Sequence, residues 1–106
     1  MAPDVVWDDE TWVLSHHTSD ASVALTLRGR GAETLGQLDD EQASQLGRIT
    51  NRLVRIVENL AGAEPVVLHR EPGTQVDVTF TASGLDATQL SEIAGKLANW
   101  GGTARA

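Results

Sequence analysis

The sequence predicts an α+β domain in the order β-β-β-α-β-β-α, with a five-stranded antiparallel sheet, one long helix and one C-terminal helix. Three observations carry this. Short apolar runs are punctuated by turn residues, two segments repeat apolar residues at steps of three and four behind capping residues, and one segment alternates strictly. Strands joined by tight turns favour antiparallel pairing, with helices covering one face of the sheet.

The first strand is centred on Val5-Val6-Trp7, and Asp8-Asp9-Glu10 supplies the polar turn that follows. Thr11 to Ser15 reads as the second strand and Val23 to Arg28 as the third, with Gly29-Arg30-Gly31 breaking it. Asp39 then opens a long helix. Its carboxylate is placed to accept from free N–H groups of the first turn, and Gln42 stands at the reciprocal capping-box position. Leu46, Ile49, Leu53, Ile56, Val57 and Leu60 form the apolar stripe, which Val54 widens, and Gly62 ends it. That width suggests cover on more than one side, by the sheet and by a partner subunit.

Pro65 to His69 reads as the fourth strand, and Glu71-Pro72-Gly73 supplies turn chemistry. In the fifth strand Val76, Val78 and Phe80 share one face, and Gln75, Asp77, Thr79 and Thr81 share the other. Asp86 and Gln89 repeat the capping box ahead of a second helix with Leu90, Ile93, Ala94 and Leu97 on its buried face. Gly101-Gly102 closes that helix, and the last few residues are expected to fray.

Composition narrows the function classes. A chain of 106 residues with 41% hydrophobic content is the size of one domain, taken as residues 1–106. With no Cys, disulfides, thiolate catalysis and Cys-based metal sites are excluded. No apolar run reaches membrane-spanning length and no secretory signal precedes the first strand, so a cytoplasmic protein without a membrane partner is expected. The net charge of −7 argues against a nucleic-acid partner, because that affinity begins with neutralised phosphates. Arg48, Arg52 and Arg55 fall at helical spacing, and a solvated helix face accounts for them.

Catalytic motifs are weak. His16 and His17 are neighbours on a strand, point to opposite faces and cannot ligate one ion together, so no metal is expected. His69 stands alone near its strand end, and Gly29-Arg30-Gly31 with Gly36 lacks the spacing of a dinucleotide-binding loop. No cofactor is implied. The feature that stands out is the row Gln75, Asp77, Thr79, hydrogen-bonding groups roughly 7 Å apart on one face of a strand.

The stretch from Thr11-Trp12-Val13-Leu14 through the third strand, then Arg30-Gly31-Ala32-Glu33-Thr34-Leu35-Gly36-Gln37-Leu38-Asp39-Asp40-Glu41-Gln42-Ala43, resembles the histidine-triad (HIT) family. The likeness runs from about Val5 to Ala82. In that family the last strand reads His-φ-His-φ-His-φ-φ, where φ is apolar. Here it reads Gln75-Val76-Asp77-Val78-Thr79-Phe80-Thr81, so the apolar positions match and the histidines do not. The resemblance places Asp77 where the family has its nucleophilic histidine, Gln75 and Thr79 where it has the flanking ones, Gly31 at the upstream histidine and Arg28 at the proline before it. It therefore implies loss of nucleotidyl hydrolase and transferase activity, since that covalent route needs an imidazole as nucleophile and leaving group.

What the resemblance leaves is a scaffold, an expected homodimer through the long helix and adjoining sheet, and a pocket bearing Arg28, Arg30, Gln75, Asp77 and Thr79. Three functions follow in order of preference. The first is a non-catalytic module binding a small molecule or partner. The second is a repurposed enzyme in which Asp77 moves a proton while Gln75 and Thr79 orient a non-nucleotide substrate. The third is an acidic protein-interaction domain.

Overall fold

The computed structural model describes residues 4–19, 22–29, 35–60, 67–69, 77–81 and 86–106. The five expected strands and two expected helices are present. Strands β1 (Asp4–Asp8), β2 (Trp12–Ser19) and β3 (Ser22–Gly29) form an antiparallel meander. A short 3-10 turn at Leu35–Gln37 leads into helix α1 (Asp40–Leu60). Strands β4 (Val67–His69) and β5 (Asp77–Thr81) follow, then helix α2 (Ala87–Ala98). A sixth strand, β6 (Thr103–Ala104), completes the sheet in the order β4-β5-β3-β2-β1-β6.

Strand β6 corrects one expectation. The chain end was expected to fray, but Thr103 and Ala104 pair with Asp8 and Trp7. The Arg105 amide also donates to the Val6 carbonyl at 2.8 Å, and its guanidinium reaches Asp8 Oδ1 at 3.1 Å. Two polar or small residues give no alternation to read, so this strand is legible only from the edge of β1 that it satisfies.

Local chemistry fixes the other joints. Asp9 Oδ1 accepts from the amides of Thr11 at 2.8 Å and Trp12 at 2.6 Å, which turns the chain between β1 and β2. At the start of α1, Gln42 N donates to Asp39 Oδ1 at 2.7 Å while Asp39 N donates to Gln42 Oε1 at 3.2 Å. Asp86 and Gln89 make the same reciprocal pair at α2. Gly62, Pro65 and the Glu71-Pro72-Gly73 turn lie outside the described residues.

The sheet buries one face under both helices. Trp12, Leu14, Leu25, Leu27 and Phe80 alternate onto that face and meet Ile49, Leu53, Ile56 and Val57 of α1 and Ile93, Ala94 and Leu97 of α2. Val54 is half-buried against this same core, so the breadth of the α1 stripe is used within one chain. In β1 the register slips between Val5 and Trp7, and this bulge lets the consecutive residues Val6 and Trp7 both be buried. Trp12 lies opposite Gly29, where a Cβ would stand 3.0 Å from the indole, so glycine leaves the ring its space.

His16 belongs to the core-facing side, in register with Leu25, and its Nε2 is buried without a hydrogen-bond partner among the described residues. An unsatisfied buried nitrogen costs free energy that an apolar side chain avoids. His16→Leu is therefore expected to raise stability by about 1 kcal/mol, read as a higher urea midpoint at unchanged slope.

Candidate functional site

The other face of the sheet carries the residues singled out from the sequence. Cross-strand register sets Val13, Arg28 and Asp77 in one row, and Ser15, Thr26, Thr79 and His69 in the next. Arg28 is exposed, Thr79 is half-buried and Thr26 is 9% exposed. The Thr26 and Thr79 hydroxyls lie 3.3 Å apart and share a hydrogen bond, so each satisfies the other on a central pair of strands. The backbone thus brings Arg28, Asp77 and Thr79 onto adjoining register positions. Gln75, Arg30 and Gly31 lie outside the described residues.

A second constellation was not assembled by sequence reasoning. The side chains of Gln45, Arg48, Ile49 and Arg52 share one face of α1, as steps of three and four dictate. That face forms one wall of a cleft of about 190 Å³. Leu97, Trp100 and Gly101 at the end of α2, with Trp7 and Asp9 from β1 and its turn, line the rest of it. Arg52 lies over the Trp100 ring with its Cζ 4.7 Å from the ring centroid, a cation–π stack. Trp100 is 56% exposed, one of two exposed large apolar side chains among the described residues.

The three indoles divide the work. Trp7 Nε1 donates to the Gly101 carbonyl at 2.9 Å, pinning the end of α2 to β1. Trp12 Nε1 donates to Gln45 Oε1 at 3.1 Å, tying α1 to the sheet. Trp100 has its ring against Arg52 and open to solvent. Arg48 donates to Ser44 Oγ at 2.9 Å and stands 3.5 Å from Glu41 Oε1, with both side chains largely solvated. Such a pair holds the guanidinium weakly. Asp9, the acid of the lining, has Oδ1 committed to two backbone amides.

A larger depression of about 350 Å³ lies beside Val5, Val6, Ala87, Leu90, Arg105 and Ala106. Its walls are mainly apolar, and Arg105 is paired with Asp8. The smaller cleft has the convergent polar groups on an apolar base that binding sites use. Searches of family models, curated proteins and solved structures each returned no match to this chain.

Among the described residues no three His, Asp or Glu side chains gather as metal ligands, and no helix is long and apolar enough to cross a membrane. The arginine spacing on α1 was legible in the sequence. Its role was not, because Trp100 reaches that face only when α2 packs against α1, and Trp7 only when β1 packs beneath the helices.

Proposed function

We propose that this chain is a non-catalytic binding domain, a histidine-triad-like scaffold without the imidazoles of that family. One observation carries the reading. The hydroxyls of Thr26 and Thr79 are bonded to each other, and among the described residues neither has a base at hydrogen-bond distance. A hydroxyl becomes a nucleophile only beside a group that takes its proton. Arg28 on the sheet and Arg48, Arg52 and Gln45 in the cleft suit recognition of a ligand rather than bond breaking.

A small-molecule ligand is the partner this reading favours. A thermal-shift screen of the purified chain against nucleotides, nucleosides and small organic acids tests it. One ligand class at about a hundred times its Kd is expected to add roughly 2.7 kcal/mol, a rise of about 10 °C for a chain of this size. No shift with any class would overturn small-molecule binding and favour a protein-interaction role. Pairing of two copies through α1 and the adjoining sheet is the assembly that goes with the family resemblance. Val54 lends it no separate support, since that residue packs within its own chain.

A further inference from the structure

We propose that the cleft between α1 and the end of α2 is the binding site, and that its ligand is a small carboxylate carried on a flat, apolar body. The proposal rests on the reading of the chain as a binding domain and names the site and ligand chemistry within it.

Arg52 lines this cleft. Its guanidinium lies over Trp100 at 4.7 Å, and no carboxylate is paired with it among the described residues. In a chain of net charge −7, with fifteen Asp and Glu against eight Lys and Arg, this half-buried guanidinium is held by an indole. A stacked guanidinium offers its ring-facing side to the indole and keeps its N–H edge for an in-plane acceptor. Arg48 stands one helical turn away on the same face of α1, joined among the described residues to Ser44 and to a solvated Glu41. An incoming carboxylate can displace so weak a contact, because exposed pairs of this kind contribute little. Two guanidiniums a turn apart, with forked donors matched to a planar oxyanion, are the chemistry of carboxylate recognition.

The rest of the cleft sets the ligand's body. Ile49 and Leu97 supply apolar contact, and Trp100 supplies a flat wall that is more than half exposed. The cleft, of about 190 Å³, has room for a flat ring between these apolar groups. Asp9 sets the polarity. Its carboxylate belongs to the turn after β1, and its repulsion directs the ligand's charge toward the arginines of α1. The carbonyl-rich end of α2 acts in the same sense, since helix C-termini disfavour anions.

The competing account is that Arg52 only stacks on Trp100 and supports the end of α2. Proton–nitrogen NMR separates the two, because the three indole N–H signals report different places. The probes are benzoate, its neutral analogue benzamide and inorganic phosphate, titrated into the whole chain. Benzoate is expected to shift the Trp100 and Trp7 indole signals saturably, with Trp12 following less, and benzamide to bind at least roughly tenfold more weakly, as loss of charge-assisted hydrogen bonds implies. Arg48→Gln, at a largely solvated position, is expected to weaken benzoate by a similar factor without lowering Tm. Arg52→Lys keeps the charge but loses the fork, and is expected to weaken it as well.

Equal shifts with benzamide would overturn the carboxylate assignment. Shifts confined to Ser15, Thr26 and Thr79 would move the site to the open sheet face while leaving the binding reading intact. A cleft silent to all three probes, with Arg52→Lys changing only Tm, would establish the purely structural role and overturn the proposal.

Discussion

Trp12→Ala is expected to cost about 3–5 kcal/mol, the loss found when a large aromatic is removed from a packed core. Trp12 is 0% exposed and sits where β2 passes beneath α1. Three things are lost together: the buried indole surface, the hydrogen bond to Gln45 Oε1, and the ring that fills the space above Gly29. The Gln45 oxygen can recover its bond from water at the edge of the cleft, so burial dominates the cost. Domains of this size have a total stability of about 5–15 kcal/mol, so the variant is expected to populate its unfolded state measurably. Urea denaturation reads the effect as a lowered midpoint. A loss below about 1 kcal/mol would mean that Trp12 is not the core anchor described here.

Gly102→Ala is expected to cost about 2–4 kcal/mol, combining backbone strain with overpacking. Gly102 has φ of +77°, a conformation that side chains disfavour, and an added Cβ would stand 2.6 Å from the Asp8 carbonyl oxygen and from two Trp7 ring carbons. The obstacle is backbone and a buried indole, neither of which moves cheaply. Because Trp7 also bonds Gly101, the substitution pushes apart the β1–β6 pair and the end of α2 that carries Trp100. Gly47→Ala gives the contrast. It lies within α1, its Cβ would meet nothing within 4 Å, and it is expected to stabilise by about 0.5–1 kcal/mol through helix propensity. Thermal unfolding of both variants checks the difference in sign. Equal effects at the two positions would contradict the packing of β6 against Trp7.

The legibility of this fold follows from which forces act locally. Both capping boxes, Asp39 with Gln42 and Asp86 with Gln89, are visible in sequence because cap and partner are three residues apart. The core-facing positions Leu25, Leu27, Val78 and Phe80 follow from strand alternation alone. The bulge that buries Val6 and Trp7 together breaks that alternation, and only the register with β2 reveals it. Strand β6 exists because β1 has an edge to satisfy, which is a property of the assembled sheet.

The candidate site was legible in the same uneven way. Asp77 and Thr79 were readable as one polar face, since period two fixes it along a strand, whereas only the register of β3 with β5 sets Arg28 and Thr26 beside them. The Thr26–Thr79 hydroxyl bond was not readable, because it depends on which strand becomes the neighbour of β5. Arg48 and Arg52 showed their common helix face, yet their solvated appearance gave no reason to look for an indole. Trp100 lies far along the chain and meets Arg52 only when α2 packs against α1.

Phosphorus NMR separates binding from bond breaking in this chain. The chain, mixed with a nucleoside phosphoramidate, is followed for hours beside a buffer control and the Asp77→Ala variant. The account predicts an unchanged phosphoramidate signal in all three samples. A phosphate monoester signal that grows with the native chain and vanishes in Asp77→Ala would contradict it, and would make Asp77 part of a working catalytic site.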